Sequence, residues 1–416
     1  MKLSALSVIA SLALSALSQQ ISLPLKTDSR WILDNAGNRV KLRCINWPGH
    51  METNIPEGLD KQSIDYIADF IQQQGFNCVR LTYSIDHALN PEVSVQDSFI
   101  AAALAANIPV ETFDATYARV VEKNPFVANA TTQDVFGAVI KSLWDRNVMT
   151  ILDNHVSKAG WCCDLDDGNG WWDKAQGYVE SNSRYFNTGN WLNGLSAMAT
   201  WATSQPGVVA MSLRNEPRPF PVLQDFLDGH SGWLNFMQQG GERVHEANPD
   251  VLVLVGGTQS TQDLTVTKTR NLDYSAWAGK HVWEMHAYEF SVTYSAAGDN
   301  CDIRQDLYGA FVGFVLEQGQ EFTAPLIMSE WGMALSGGPN DGLTDDGKNY
   351  YDCVKEYMLG NDMDWALWGI QGSYYVREGT ADAEETWGLM DKEWSGLRNE
   401  QIYTSMADLF TVTQGP

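Results

Sequence analysis

The feature that most constrains this chain is a repeated alternation of short apolar, β-branched runs with longer amphipathic segments. Eight such runs precede loops rich in polar and aromatic residues, and they occupy 40–46, 77–83, 147–153, 208–214, 251–256, 281–287, 325–330 and 364–370. Between them, apolar residues recur near the helical period at 61–74, 132–146, 233–247 and 303–318. This alternation of strand and helix predicts a (β/α)8 barrel, the TIM-barrel fold.

The residues before the first barrel strand have the pattern of a β-hairpin. Two apolar arms at 31–34 and 39–42 flank the sequence Asn-Ala-Gly-Asn at 35–38, which favours a tight turn. We expect this hairpin to close the N-terminal mouth of the barrel. Residues at that end of a barrel contribute to stability rather than to chemistry.

The first 18 residues have the pattern of a cleaved signal peptide. Lys2 is followed by an apolar run and then by Ala16-Leu17-Ser18, a small-x-small cleavage site. A membrane anchor is the alternative interpretation, but the run is too short to span a bilayer, and no later stretch approaches about 18 apolar residues. No linker or low-complexity tract divides residues 19–416. We therefore expect a secreted, extracellular, monomeric protein with a single domain.

The charge balance disfavours several classes of partner. The chain has 52 Asp and Glu against 27 Lys and Arg, a formal net charge of −25 at pH 7. Nucleic acid and anionic membranes are poor partners for such a surface, whereas a neutral substrate fits it. The chain also lacks the GxSxG, GxxxxGK[ST], GxGxxG and HExxH motifs. Neither a cofactor nor a metal is implied.

Six cysteines occur without a CxxC pair, which favours disulfides over metal or redox motifs in an exported protein. We expect the adjacent Cys162 and Cys163 to bond distant partners rather than each other, with Cys301 a candidate. The sequence leaves the pairing open. Asn129-Ala130-Thr131 is a glycosylation sequon, which also fits export.

Active sites of (β/α)8 barrels lie at the C-terminal ends of the strands. Polar and aromatic residues at these ends are therefore the candidates for binding and chemistry. They are Asn46, Trp47, Arg80, Asn154, His155, Asn215, Glu216, His286, Tyr288, Glu330, Trp331 and Trp368.

Glu216 and Glu330 are the carboxylates expected to carry the chemistry. Most acidic side chains are surface groups, but these two follow runs with almost no other charge. Burying a carboxylate there costs free energy unless pairing or function retains it. Two carboxylates across one barrel mouth can flank a glycosidic bond, one as proton donor and one as nucleophile.

These motifs resemble, in their order along the chain, those of glycoside hydrolase family 5, the cellulase-type family of retaining (β/α)8 enzymes. The resemblance covers nearly all of the mature chain. It is carried by Arg-Asn-Glu-Pro at 214–217 and Ser-Glu-Trp-Gly at 329–332, with Arg80, Asn154-His155, His286-Ala287-Tyr288 and Trp368. It implies that Glu216 is the general acid/base, that Glu330 is the nucleophile, and that Asn215 binds the 2-hydroxyl of the sugar.

Other strand-end residues have supporting roles under this interpretation. Arg80 and Tyr288 are placed to hold Glu330 ionised and oriented, as a cation and a hydrogen-bond donor. His155 and His286 are expected to bind substrate hydroxyls or the catalytic carboxylates. The alternative for both is a structural histidine near the barrel rim.

Aromatic residues are expected to bind the sugar rings. Trp368 is predicted to form the floor at the cleavage point, with ordinary core packing as the alternative. The Gly-rich loop after the third strand carries Trp161, Trp171 and Trp172, which predict a stacking wall stiffened by the cysteines. Alternatively, this loop packs on itself. Trp47, after the first strand, is also placed among the substrate-binding residues.

The sequence therefore predicts a secreted, retaining β-glycosidase that hydrolyses β-linked glucan, with endo-β-1,4-glucanase favoured. A β-mannanase, a β-1,3-glucanase or another β-glycosidase of the same family is the alternative, because loop lengths rather than these motifs separate them. A wall-binding protein without catalysis is the rival from another class. Retention of both glutamates argues against it.

Overall fold

Eight parallel strands close into a barrel in the computed structural model, which describes residues 21–220, 230–291, 298 and 300–416. The predicted signal peptide at 1–18 lies outside the described residues. The barrel strands are β3 (Arg43–Trp47), β4 (Cys78–Ser84), β5 (Met149–Val156), β6 (Val208–Ser212), β7 (Leu252–Gly256), β8 (His281–Ala287), β9 (Leu326–Trp331) and β10 (Asp364–Leu367). Pairing of β10 with β3 completes the circle, so the predicted (β/α)8 fold is confirmed.

Helices lie between the barrel strands, as expected for parallel neighbours, and the helix Glu400–Ser405 follows the last strand. They are Ile64–Gln73, Ile85–Leu89, Val95–Ala105, Val110–Lys123, Thr132–Trp144, Glu180–Ser183, Thr188–Ala202, Ser231–Ala247, Thr258–Thr261, Cys301–Phe311, Asp345–Asn361 and Glu400–Ser405. Short 3-10 turns follow at Pro125–Asn129, Thr265–Lys268, Ser275–Trp277, Gly313–Leu316 and Ala407–Phe410. Within the described part of the chain, no helix combines the length and apolarity needed to cross a bilayer.

Local sequence explains where these helices begin and end. Ser63 caps the helix Ile64–Gln73 by accepting a hydrogen bond from the Tyr66 amide, and Thr131 with Asp134 forms a capping box. The helix predicted at 303–318 ends instead at Phe311, before a 3-10 turn that starts at Gly313. A Cβ at Gly313 would lie 2.0 Å from the Tyr357 hydroxyl, so glycine permits the close approach.

Alternate residues of the barrel strands point to two different cores. One cluster fills the barrel interior and includes Cys44, Ile151 and Leu254, whereas Ile45 and Leu152 belong to the layer between strands and helices. This alternation follows from the pleat of a strand. It also decides which residues near each strand end can face the barrel mouth.

The N-terminal segment forms the predicted hairpin and adds a third, earlier segment to it. Leu33 bridges Arg39 across the predicted turn, and the Val40 amide donates to the Ile32 carbonyl at 2.9 Å. On its other side, β2 (Trp31–Leu33) pairs with β1 (Lys26–Asp28), which the sequence did not predict. Ile32 and Leu42 pack with the interior cluster. The segment therefore covers the N-terminal end of the barrel. A second antiparallel pair follows the last barrel strand, β11 (Ser373–Arg377) with β12 (Thr380–Glu384).

All six cysteines form disulfides, and one pairing prediction is wrong. Cys44 bonds Cys78 between neighbouring barrel strands, and Cys301 bonds Cys353 between two packed helices. Cys162 and Cys163 therefore bond each other rather than distant partners, because the fold pairs the other four cysteines between adjacent elements.

Candidate active site

Glu216 and Glu330 meet at the C-terminal mouth of the barrel. Glu330 lies near the end of β9, and Glu216 follows β6 by four residues. The backbone of Glu216 has a φ of 44°, in the left-handed region that non-glycine residues rarely adopt. Arg218 Nη1 donates a hydrogen bond to its carbonyl oxygen at 2.9 Å. This contact helps to hold the carboxyl group of Glu216 over the mouth.

His286 connects the two carboxyl groups. Its Nδ1 lies 2.9 Å from Oε1 of Glu216 and 3.6 Å from Oε2 of Glu330. A carboxylate oxygen of each glutamate and a ring nitrogen of His286 all lie within 4.8 Å of one another. Retaining glycosidases hold their two carboxyl groups about 5 Å apart, whereas inverting enzymes leave room for a water between them. The spacing here is that of a retaining pair.

Two donors stabilise Glu330 as a carboxylate. Arg80 Nη1 pairs with Oε1 at 2.7 Å, and the Tyr288 hydroxyl donates to Oε2 at 2.9 Å. Glu330 is almost fully buried, and burial raises its pKa, while His286 and Arg80 oppose the rise. The guanidinium in direct contact favours the ionised form of Glu330.

Glu216 has a different electrostatic environment. Burial raises the pKa of its carboxyl to about 7, against the opposing charges of Arg218 and Arg80. Burial lowers the pKa of its partner His286 to about 4, so this imidazole is neutral near pH 7. Glu216 can therefore carry a proton at neutral pH and donate it, which is the property of a general acid.

Arg80 lies at the bottom of the site among several carboxylates. Beyond Glu330, it contacts Asp153 at 2.8 Å through Nη2, and its Nε lies 3.8 Å from Glu284. Burial raises the pKa of Glu284 to about 7, and the Ser212 hydroxyl donates to its Oε2 at 2.5 Å. Glu284 is therefore partly protonated near neutral pH, which limits the negative charge around Arg80. The sequence interpretation missed both Asp153 and Glu284, although each occupies an inward position of its strand.

Asn215 and His155 lie beside the pair. Arg80 Nη2 donates to Oδ1 of Asn215 at 3.0 Å, and Nδ2 of Asn215 lies 3.3 Å from Nε2 of His155. His155 is oriented by Asp153 Oδ2, 2.6 Å from its Nδ1. The indole of Trp368 stacks on His155, with ring centroids 5.4 Å apart. The structure thus brings these predicted residues together around the carboxyl groups.

A cleft of about 300 Å³ opens above the carboxyl groups. Besides Glu216, Glu330, Tyr288 and Trp368, its lining includes residues that the sequence interpretation had not assigned to binding, namely Cys162, Cys163, Asp164, Phe290, Arg377, Glu385 and Trp387. Several of them lie near or beyond the second antiparallel pair, after the last predicted strand. Strand-end counting could not have found these residues, because only the fold brings that segment over the mouth.

The predicted tryptophan wall is only partly correct. Trp161 lines the cleft, where the Arg377 guanidinium lies 3.8 Å from its ring. Trp171 and Trp172 are fully buried, and Trp172 packs against Phe186 and other rings of the helix layer. These two cannot stack on a sugar. Burial of a large aromatic surface outweighs exposure to the cleft, as the alternative interpretation of the loop stated.

Trp47 and Asn154 also do not face the cleft. Trp47 is fully buried in the layer between strands and helices, where its indole donates to the Glu57 carbonyl. Asn154 is fully buried and donates to the carbonyl of Val156. Both follow an inward residue of their strand by one position, so the pleat turns them outward. Their predicted contact with substrate was wrong.

Two groups of described side chains bring three potential metal ligands together. One is Glu216, His286 and Glu330, and the other is His155, Cys162 and Cys163. The cysteines of the second group are joined in a disulfide, so they do not offer thiolates. The first group is the carboxylate pair with its bridging histidine.

Comparison with known proteins decides the family. A model of the family described as Cellulase (glycosyl hydrolase family 5) matches residues 33–373. The chain belongs to glycosyl hydrolase family 5. It is thus a glycoside hydrolase of the retaining, double-displacement type, as the sequence predicted.

Curated relatives of this glycoside hydrolase include a plant and a bacterial protein. The chain is 37% identical over 404 residues to the "Glycosyl hydrolase 5 family protein" of Chamaecyparis obtusa, covering 95% of this chain and 67% of that protein. It is 24% identical over 232 residues to an endoglucanase of Paenibacillus polymyxa, covering 56% of this chain and 49% of that protein. The chain thus spans only part of both relatives.

Solved structures of the same fold are more distant in sequence. A hyperthermophilic endocellulase from Pyrococcus horikoshii matches with a TM-score of 0.71 at 17% identity, over 94% of this chain and 100% of that one. The catalytic domain of the major endoglucanase from Xanthomonas campestris pv. campestris matches with a TM-score of 0.69 at 18% identity, over 93% and 99%. At these identities the likeness establishes the barrel fold alone.

Proposed function

We propose that this family 5 enzyme is a secreted endo-β-1,4-glucanase in which Glu216 is the general acid/base and Glu330 the nucleophile. The observation that carries the role assignment is the carboxylate pair bridged by His286. One member is ion-paired with Arg80, and the other has a pKa raised to about 7. This asymmetry is what double displacement requires.

In the first step, Oε of Glu330 attacks the anomeric carbon while Glu216 donates its proton to the leaving glycosidic oxygen. The carbon–oxygen bond to the leaving group breaks, and an ester bond to Glu330 forms. Arg80 and Tyr288 hold the attacking carboxylate in place and compensate its charge before attack. Asn215 contributes by binding the 2-hydroxyl, a contact that strengthens in the transition state.

In the second step, water replaces the leaving group. Glu216, now ionised, takes a proton from this water as it attacks the anomeric carbon, and the ester bond to Glu330 breaks. The product keeps the β configuration because the carbon has been inverted twice. His286 is neutral in this pH range, so it can remain hydrogen-bonded to either form of Glu216 without adding charge.

A β-1,4-glucan is the proposed substrate. The cleft carries rings suited to pyranose faces, including Trp161, Trp368 and Trp387. The endoglucanase and endocellulase names of the relatives and structural neighbours support the same substrate class. The acidic chain also suits a neutral polymer. We propose a monomer that needs no protein partner for this reaction.

Export of the protein is proposed from the N-terminal sequence. Three disulfides support an oxidising compartment. The exposed Asn129 of the sequon is accessible for glycosylation. Edman sequencing of the protein recovered from culture medium tests the predicted cleavage after residue 18. An intact N-terminus in the medium would contradict it.

Chemical rescue tests the two carboxylate roles. In Glu216→Ala, 2,4-dinitrophenyl β-cellobioside should still form the glycosyl-enzyme intermediate, because its leaving group departs without a proton. Added azide should then restore turnover and give a β-glycosyl azide. Glu330→Ala is the matched variant, for which azide attacks directly and the expected product has the α configuration. An α-glycosyl azide from Glu216→Ala and a β-glycosyl azide from Glu330→Ala would reverse the roles of the two glutamates.

A substrate panel tests the glucan assignment. The purified protein is incubated with β-1,4-glucan, mannan, β-1,3-glucan and mixed-linkage glucan, with Glu330→Gln as the inactive control. We expect internal cleavage of β-1,4-glucan, seen as a rapid fall in viscosity before reducing sugars accumulate. If the protein cleaves mannan or β-1,3-glucan in preference, that polymer replaces β-1,4-glucan as the proposed substrate. Binding without hydrolysis of any polymer would favour the wall-binding alternative.

A further inference from the structure

The disulfide between Cys162 and Cys163 lies in the wall of the cleft, beside Asn215. Sγ of Cys163 is 3.3 Å from Nδ2 of Asn215, and Sγ of Cys162 is 3.8 Å from the same atom. Both cysteines line the cleft that contains the two carboxyl groups. The sequence interpretation assigned the cysteines only to loop stiffness.

The amide of Asn215 has a single orientation that satisfies its neighbours. Its Oδ1 accepts from Arg80 at 3.0 Å, so Nδ2 must point to the opposite side. Asp153 lies 2.6 Å from Nδ1 of His155, and burial holds the pKa of this histidine well below its usual value. Nε2 of His155 is therefore an acceptor for one hydrogen of Asn215. The second hydrogen points to Cys163.

A disulfide sulfur is a weak hydrogen-bond acceptor. It can orient the amide at small energetic cost and be displaced by a better acceptor, such as a sugar hydroxyl. An oxygen at the position of the Cys163 sulfur would compete more strongly with the sugar. Sulfur is also polarisable and apolar, which suits contact with the carbon face of a sugar ring.

The position of the disulfide is tied to the catalytic residues through Arg218. Nε of Arg218 donates to the carbonyl of Asp164, next to Cys163, at 3.2 Å. Nη1 of the same guanidinium donates to the carbonyl of Glu216 at 2.9 Å. Nη2 of Arg218 pairs with the carboxylate of Asp167 in the same loop. One side chain therefore fixes the loop relative to Glu216.

We infer that the Cys162–Cys163 disulfide is a positioning element for Asn215. It holds the amide hydrogen in the free enzyme and releases it to the 2-hydroxyl of the sugar when substrate binds. This inference rests on the proposed function, in which Asn215 binds that hydroxyl.

The test compares two substrates in the double variant C162A/C163A. One is 4-nitrophenyl β-cellobioside, and the other is its analogue lacking the 2-hydroxyl on the ring next to the leaving group. We expect kcat/KM for the full substrate to fall about tenfold, the loss of one oriented hydrogen bond. For the 2-deoxy analogue the fall should be less than about twofold, since Asn215 has no hydroxyl to bind.

The matched control is C301A/C353A, which removes a disulfide between two helices outside the cleft. It should lose no selectivity for the 2-hydroxyl. In a second experiment, the native protein is reduced with a phosphine. Mass spectrometry then checks that Cys162 and Cys163 have been alkylated. The reduced protein should reproduce the substrate-dependent loss even where the double variant folds poorly.

Equal losses on both substrates would assign the disulfide a merely structural role and overturn the inference. So would unchanged kinetics after confirmed opening of the bond. If the wild-type enzyme cleaves no β-glucoside, the proposed substrate fails instead. The same comparison is then made with the aryl glycoside of the sugar that the substrate panel identifies.

Discussion

Glu216 and Glu330 lie in one cleft but have different neighbours, which give their carboxyl groups different proton affinities. Glu330 has a guanidinium and a phenol within hydrogen-bonding distance, whereas Glu216 has a neutral imidazole. Both carboxyls are desolvated, so the difference comes from their partners rather than from burial. An alanine in place of Arg80 would therefore disturb Glu330, the proposed nucleophile, more than Glu216, the proposed acid.

The raised pKa of Glu216 predicts the alkaline limb of the pH profile. In the proposed mechanism Glu216 must be protonated for the first step, and its protonated form is lost as pH rises through about 7. We expect kcat/KM for 4-nitrophenyl β-cellobioside to fall above about pH 7, measured by initial rates from pH 5 to 9.

2,4-Dinitrophenyl β-cellobioside provides the control for this limb. Its leaving group departs without a proton, so the fall of kcat/KM above neutral pH should weaken or disappear with this substrate. The variant Glu216→Gln should likewise show no fall of kcat/KM above neutral pH with it. An identical alkaline limb for both substrates would assign the titration to a group other than Glu216.

At the scale of elements, strand parity separates residues that point into the barrel from those that pack against the surrounding helices. On β5, Asp153 and His155 point into the barrel and Asn154 points out. The irregular register between β8 and β9 pairs His286 with Glu330 and aligns the two side chains at the mouth. A rule that counts only proximity to the strand end cannot make this distinction.

The loop after β5 gives the element-scale prediction. Trp172→Ala removes a fully buried ring and should lower the free energy of unfolding by about 3–5 kcal/mol, with little change in KM. Trp161→Ala removes a ring that lines the cleft and should raise KM about 2–10-fold with little change in thermal midpoint. Calorimetry and steady-state kinetics on both variants measure the two effects.

The opposite pattern would restore Trp172 to the substrate-binding wall. A large KM increase for Trp172→Ala at unchanged stability is the outcome that contradicts its placement in the core.

At the scale of the whole molecule, the barrel brings together residues far apart in sequence. Arg80 and Glu330 are separated by 250 positions, yet they form a direct ion pair. Arg377, Glu385 and Trp387 follow the eighth strand and still line the same cleft. Such segments at the barrel top differ among enzymes of one fold, so we expect them, more than the strand-end motifs, to select the glycan.

The sequence by itself determined the architecture and placed the carboxylate pair among the strand-end residues. Periodic apolar runs reveal strands and helices because burial must repeat with the geometry of each element. Eight alternations then leave few closed topologies, and residues at the C-terminal strand ends must meet at one mouth. Glu216, Glu330 and Arg80 could be singled out in this way.

Only the tertiary structure decided which aromatic residues are core, how the cysteines pair and what lines the cleft. Trp161 and Trp172 lie on one loop and have the same side chain, but Trp161 is half-buried at the cleft and Trp172 is fully buried among rings of neighbouring helices. Cys162 and Cys163 could be assigned only when the other four cysteines were placed. Burial and pairing depend on distances between elements, which the linear pattern of a chain does not contain.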